Sequence, residues 1–317
     1  MILFFGYGDD SALMRAIEAA QELGIEHCLL DQQALEGCDL RLGGTPPGGN
    51  GVLARPGSRI PLADFDSAYT RPLAPVAPPD TPAHDHEAKI LANMVTWLDV
   101  ADVRVVNRPR DMHSNGSKPY QAQLIAATGF EVPESLITTD PDEVREFAER
   151  IGPLVFKSIS GIRSIVRRLD DGYLSRLDRV RALPTQFQAL VEGDDIRVHV
   201  VGGEVFATRI RSVATDYRYA GRDGLDAELS PTSLPDDVAQ RCLDLSGSLQ
   251  LPLVGIDLRE TPDGRYVCFE ANPMPGYSYF ESHTGQPISE ALVRFLAGKS
   301  GTSGARGQDP IERGGPG

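Results

Sequence analysis

Asp257, Glu270 and Asn272 are the residues whose types and spacing point most directly to chemistry. They lie in two apolar-rich runs, Gly255-Ile256-Asp257-Leu258-Arg259 and Tyr266-Val267-Cys268-Phe269-Glu270-Ala271-Asn272, separated by Pro262-Asp263-Gly264. Asp-Gly between two such runs marks a hairpin. A two-residue turn at Asp263-Gly264 places Asp257 directly opposite Glu270; a four-residue loop moves them diagonally apart on the same face. Asn272 shares that face because side chains alternate along a strand. Neighbouring carboxylates repel, so the cluster is a poor structural choice. It suits a hard divalent cation that takes oxygen ligands and shares them with nucleotide phosphates. A solvated acidic sheet face is the competing reading.

A nucleotide held by such an ion also needs cations on its phosphates. Lys157 interrupts the apolar strand Leu154-Val155-Phe156-Lys157 and precedes a small polar turn, Ser158-Ile159-Ser160-Gly161, able to offer backbone N–H groups. A lysine that merely snorkels reads the same way. Lys118 opens a helix, where the helix dipole disfavours a cation unless an anion is near. In Asp194-Asp195-Ile196-Arg197-Val198-His199-Val200, Arg197 and His199 take the face opposite Ile196, Val198 and Val200, and Arg209 and Arg211 share one face of the following strand. With Asp216-Tyr217-Arg218 further on, these arginines suggest an anion site, against pairing with surface carboxylates.

The elements that must position these groups follow from periodicity. Ile2 to Phe5, a helix with Leu13, Ala16, Ile17 and Ala20 on one stripe, and Ile25 to Leu30 form a βαβ unit. Gly6-Tyr7-Gly8 could cradle a phosphate, but Asp9-Asp10 follows where the anion should sit, which favours a plain turn. Leu42 to Pro82 is dense in Gly and Pro and excludes long helices. Helices are expected near Asp85–Leu98, Lys118–Thr128 and Pro141–Ile151, the last capped by Asp140, with strands at Val103–Val106 and Pro153–Ser158. His84 and His86 lack a third ligand nearby and read as a solvated helix start. Ile196–Val201, Gly202-Gly203 and Val205–Arg211 form a hairpin, and the Gly-, Ser- and Pro-rich tail from Gly298 is expected to be disordered. The formal charge of -14, without a cluster of Lys and Arg, argues against a nucleic-acid partner. The N-terminus lacks a signal peptide's basic start, no apolar run spans a bilayer, and the four cysteines lack zinc-site spacing, so a cytoplasmic protein with reduced thiols is expected.

From Val106 to about Ala297 the chain resembles ATP-grasp ligases of the RimK-like group, which includes ribosomal-protein glutamate ligases and microviridin-type peptide-crosslinking ligases. The resemblance rests on Asn107-Arg108-Pro109, Ser117-Lys118 ahead of a helix, Gly129 to Ile137, Phe156-Lys157, Gln188-Ala189-Leu190-Val191-Glu192-Gly193, Asp195-Ile196-Arg197 with Val201-Gly202-Gly203, Asp216-Tyr217-Arg218, and Asp257 with Glu270 and Asn272. It implies an α/β (α+β ATP-grasp) fold: a pre-domain over residues 1–106, subdomains at 107–185 and 186–299 that clasp ATP, and a tail at 300–317. Lys118 and Lys157 would contact phosphates, Gln188, Leu190 and Val191 would meet adenine, and Asp195 would belong to the same nucleotide site. Asp257, Glu270 and Asn272 would hold two Mg2+, with Mn2+ as an alternative. Arg197 and Arg218 would stabilise an acyl-phosphate and its tetrahedral successor, with Arg209 and Arg211 as less certain members. The turn after Lys157 is shorter and poorer in glycine than in many relatives, and Ala189 replaces an acidic hinge residue. The implied reaction joins a carboxylate, on a small molecule or peptide, to an amine with release of ADP and phosphate. Glu281 and His283 are candidates for its general base, against a structural role. A small-molecule kinase and a non-catalytic ATP sensor are the rival readings, and self-association is left open.

Overall fold

The computed structural model describes residues 1–43, 51–158, 166–212 and 227–299. The chain opens with β1 (Ile2–Gly6), α1 (Ser11–Glu22) and β2 (His27–Asp31), then β3 (Asp39–Arg41), β4 (Val52–Arg55), β5 (Ser58–Pro61), β6 (Ser67–Arg71), α2 (Pro82–Val100) and β7 (Arg104–Val106). Strands β2-β1-β6-β7 make a parallel sheet and β3-β4-β5 an antiparallel meander. The Gly-Tyr-Gly turn is structural: Gly8 N donates to Asp31 Oδ1 at 2.9 Å, and Asp10 caps α1 by accepting from Leu13 N at 2.8 Å. The helix N-terminus thus receives its anion from its own chain.

The Gly/Pro-rich stretch carries more order than its composition suggests. Residues 44–50 lie outside the described residues; among the described ones, β4, β5 and β6 lie within the stretch and no long helix does. Strand β6 is the unexpected element. Ser67-Ala68-Tyr69-Thr70-Arg71 is mostly polar, yet all five residues are buried in the middle of the parallel sheet. Arg71 is tolerated there because its Nε lies 2.8 Å from Asp10 Oδ1 and its Nη1 donates to Pro275 O at 3.0 Å.

Next come α3 (Lys118–Ala127), β8 (Ser135–Thr138), α4 (Pro141–Ile151), β9 (Leu154–Ser158), β10 (Arg167–Arg168), α5 (Asp171–Leu174) and β11 (Thr185–Ala189). Asp140 caps α4 as its sequence demands, accepting from Asp142 N at 2.9 Å. Strands β10-β9-β11-β8 form an antiparallel sheet over a core that includes Val144, Phe147 and Phe187. The chain finishes with β12 (Asp194–Val201), β13 (Glu204–Ser212), β14 (Ala227–Thr232), α6 (Asp236–Ser248), β15 (Leu253–Glu260), β16 (Tyr266–Asn272), α7 (Tyr277–Thr284) and α8 (Ile288–Leu296). Gly202 and Gly203 adopt φ of 56° and 105° and close the β12–β13 hairpin in two residues.

The last five strands form an antiparallel sheet in the order β14-β13-β12-β15-β16. One of its faces is covered by α6 and by α3, whose Ile125 joins the core of Ile196, Val198, Cys242 and Ile256. Helix α3, expected with the middle segment, therefore packs on the C-terminal sheet. A separate core joins α1, α7 and α8 to Phe4, Tyr69, Val201 and Leu253, fastening the parallel sheet to the C-terminal one. All four cysteines are buried and unpaired, and burial raises each thiol pKa, that of Cys242 to about 12.

Candidate active site

The β15–β16 hairpin brings Asp257 and Glu270 together, by a route different from the expected turn. Thr261 N donates to Arg265 O at 2.9 Å and Gly264 N to Thr261 O at 2.9 Å, so the loop is Pro262-Asp263-Gly264, three residues long. Gly264, at φ 83°, takes the left-handed position that such loops require. This loop pairs Glu260 with Tyr266 and Leu258 with Cys268, one residue out of step with a two-residue turn. A β-bulge between Asp257 and Leu258 then absorbs Phe269, and beyond it Asp257 faces Glu270 and Gly255 faces Asn272.

Asp257 and Glu270 line a cleft between the C-terminal sheet and the β10-β9-β11-β8 sheet. One wall carries Asp195 and Arg197 from β12, Asp257 and Arg259 from β15, and Phe269 and Glu270 from β16; the other carries Val155, Lys157 and Gln188. Ala189, Leu190 and Val191 line the same cleft, with Leu190 N bonded to Pro153 O at 2.9 Å. An adjoining space shares Lys157, Gln188, Phe269 and Glu270 and adds Lys118 and Gln186.

The charges in the cleft are arranged in pairs. Arg197 sits directly across from Asp257 in the β12–β15 ladder, with Nη1 at 2.5 Å from Asp257 Oδ1. Lys118 Nζ lies 3.8 Å from Glu270 Oε1. The Asp257 and Glu270 side chains keep 27% and 26% of their surface exposed, enough to accept a further ligand. Asn272 Oδ1 accepts from Met274 N at 2.9 Å, which fixes the amide at the end of β16. Two carboxylates and an amide oxygen are hard oxygen donors of the kind that Mg2+ takes. Among the described residues no group of three or more His, Cys, Asp and Glu side chains is assembled as a metal site.

The structure does not bring Arg209 and Arg211 to this cluster. Arg209 pairs with Ile196, and Thr208 with Arg197, so Arg209 points to the face opposite Arg197. There it binds Asp194 at 2.6 Å and Glu260, and Arg211 Nε lies 3.9 Å from the same Asp194. Both are corrections to the expected anion site: alternation along β13 sends them to the wrong side. Arg218 and the turn after Ser158 lie outside the described residues. Asp195 lines the cleft, but its Oδ1 accepts from Arg259 Nε at 2.9 Å and Nη2 at 2.6 Å, while Arg259 Nη1 donates to Val191 O at 2.7 Å. Arg259 thus ties β12 to the hinge. It lines the cleft although sequence reasoning does not single it out; its place two residues after Asp257 on the same strand is the available signal. Glu281 accepts from Arg15 Nε at 2.9 Å, Ser289 Oγ at 2.6 Å and Ser289 N at 2.8 Å, so its carboxylate is occupied in a structural joint. His283 Nδ1 lies 2.7 Å from Tyr279 O on the exposed side of α7.

Arg197 is seated by residues without charge of their own. It is 6% exposed, stands 5.7 Å above the Phe280 ring and lies over Gly255, where an added Cβ would come within 2.3 Å of its Nη2 and 2.8 Å of Pro275 Cβ. Only glycine leaves that berth. Gly255→Ala should fold with a loss of about 1–3 kcal/mol in denaturant unfolding, because both neighbours are held by backbone and ring contacts; unchanged stability would mean that Arg197 moves freely. Beneath Arg197, His199 is fully buried, and burial first, then Arg197, hold its pKa well below the usual imidazole value. The folded state keeps His199 neutral while the unfolded chain takes a proton below about pH 6.5, so stability falls as pH drops through that value. His199→Gln should flatten the stability profile between pH 6.5 and 5.5 by up to about 1.4 kcal/mol. Superimposable profiles would refute the neutral buried imidazole.

Comparison with known proteins places this geometry. The RimK-like ATP-grasp domain matches residues 116–296, more than half of the chain. N-acetylaspartylglutamate synthase A of Mus musculus is 28% identical over 297 residues, covering 89% of this chain and 73% of that protein. Beta-citrylglutamate synthase B of Danio rerio is 28% identical over 210 residues, covering 63% of this chain and 52% of its own, so the chain spans about half of that relative's length. The structure of the ATP-grasp ligase PsnB complexed with minimal precursor, Mg and ADP superimposes with a TM-score of 0.78 at 27% identity, covering 94% of this chain and 96% of PsnB. An acidic pair set across a hairpin, with lysines from a helix and a facing sheet, sits within the matched residues, and the chain belongs to the RimK-like ATP-grasp family.

Proposed function

We propose that the protein is an ATP-dependent carboxylate–amine ligase, and that residues 1–106, 107–185 and 186–299 act as its pre-domain and two nucleotide-clasping subdomains. The observation that carries this reading is the cluster of Asp257, Glu270 and Arg197 on one wall of a cleft whose other wall carries Lys157, with Lys118 beside Glu270 in the adjoining space. Gln188, Leu190 and Val191 receive the base, with Asp195 and Arg259 holding that end closed. Lys118 and Lys157 bind the phosphates. A divalent ion at Asp257, Glu270 and Asn272, Mg2+ or Mn2+ in one or two copies, would neutralise phosphate charge.

The substrate carboxylate oxygen attacks the γ-phosphorus, the bond to ADP breaks, and an acyl-phosphate forms. The amine then attacks the acyl carbon, phosphate departs with the C–O bonding pair, and the amine proton passes to solvent. Arg197 faces the charge that develops on the oxygens, and a guanidinium matches such oxyanions with paired donors. Arg218, by its sequence position, is assigned the same task. The relatives named for glutamate-containing products and PsnB with its precursor support an acidic small molecule or a peptide side chain as the carboxylate partner. The four buried thiols suit a reducing cytoplasm.

Two linked measurements test the reading. Free and N-acylated acidic amino acids, citrate and acidic peptides are incubated with the enzyme, ATP and Mg2+, with and without hydroxylamine. The effective carboxylate should give ADP and a hydroxamate when the amine is withheld; a stable phosphorylated product without hydroxamate would favour a kinase. Glu270→Gln should fold normally yet lose turnover by at least about tenfold, since it removes a charge from a hydrated ligand set. Full turnover in that variant would remove Glu270 from the metal site.

A further inference from the structure

Strand β16 is the outer strand of its sheet, so the backbone groups on its free edge lack a strand partner. Ala271 lies between Glu270 and Asn272 and is fully buried, so water cannot serve its outward N–H and C=O. One side chain serves both. Gln121 Nε2 donates to Ala271 O at 2.8 Å, and Gln121 Oε1 accepts from Ala271 N at 3.1 Å. Gln121 is itself 3% exposed and sits one turn after Lys118 on α3. On the same edge Cys268 N donates to Glu131 O at 2.8 Å. The bulged Phe269 and the ligand residue Glu270 are therefore held between two fixed points.

We propose that Gln121 is a positioning residue: its amide stands in for the missing strand, pins the bulge that turns Glu270 toward Asp257, and indexes Lys118 against Glu270. The proposal rests on the ligase reading for its metal, but the clamp itself is a property of the metal-free protein. The amide is required at both ends. A residue that only accepts would oppose its oxygen to Ala271 O, and an apolar residue would leave two buried backbone groups unpaired. Either change frees the β16 edge to return toward regular pairing, which would move Glu270 off the cleft face.

Gln121→Met keeps side-chain length and helix propensity while removing both hydrogen bonds; Gln121→Glu keeps the acceptor alone, and Ile125→Val trims the core under the same helix while leaving both Gln121–Ala271 hydrogen bonds in place. In metal-free protein, hydrogen exchange of the segment from Phe269 to Pro273 should quicken at least about tenfold in both Gln121 variants, and in Ile125→Val only as far as its stability falls. With ATP, the free Mg2+ giving half-maximal turnover should rise by about tenfold or more, the range for losing a group that orients a metal ligand. Wild-type exchange and Mg2+ dependence in the folded Gln121 variants would overturn the proposal, as would the same shifts in Ile125→Val. If Gln121→Met does not fold, Gln121→Glu decides by the same two readouts. A wild-type protein whose turnover ignores Mg2+ would sink the ligase reading instead, and the exchange comparison would still judge the clamp.

Discussion

The pairing register of β15 and β16 is the constraint on which the site depends. The three-residue loop alone would set Asp257 against Phe269 and turn Glu270 to the other face, among Ile125, Cys242 and Leu245. An ionised glutamate placed in that apolar layer costs several kcal/mol unless it is paired. The bulge at Phe269 removes the cost by returning Glu270 to the cleft, where Lys118 lies 3.8 Å away. Phe269, left on the cleft side with Glu270, is then covered by the Arg259 guanidinium 5.3 Å from its ring. Loop length, bulge and the two walls of the sheet therefore specify one another.

Charge at the site is set by the same registers. In a chain of net charge -14, most arginines on the C-terminal sheet have a carboxylate neighbour, and composition does not reveal which of them face the cleft. The ladder does. Arg197 falls opposite Asp257 and so reaches a carboxylate that also faces the cleft; Arg209, one strand over, meets Asp194 and Glu260 on the far side. Arg259 pairs with Asp195 across the sheet and spends its third donor on the hinge carbonyl of Val191. The three arginines are chemically identical, and alternation along the strands gives them different work.

This explains what was legible in the sequence. Asp-Gly between apolar runs announced the hairpin, and the opposition of Asp257 and Glu270 followed from a two-residue turn; loop and bulge each depart from that turn by one residue and cancel. The α4 cap and the Gly202-Gly203 hairpin were readable because each signal is local. Strand β6 was not, since the charge of its buried Arg71 is met by partners far along the chain, Asp10 and Pro275, the latter 204 residues away. Gln121 reads from sequence as an ordinary helical residue, because its partner Ala271 lies 150 residues further on.

The parallel sheet contributes no side chain to the cleft but still reaches Arg197. Tyr277 OH donates to Ala12 O at 2.5 Å, Arg71 Nη1 holds Pro275 O, and Arg15 binds Glu281 at 2.9 Å, so α7 is fastened to α1 and β6 along its length. Phe280, on the same helix, lies under both His199, 5.0 Å away, and Arg197. The floor on which the guanidinium rests is thus set from the N-terminal unit, while Asp257 fixes its far end from β15. An arginine fixed at both ends and buried to 6% exposure keeps little rotamer freedom, so its donors would meet the proposed oxyanion with little further ordering.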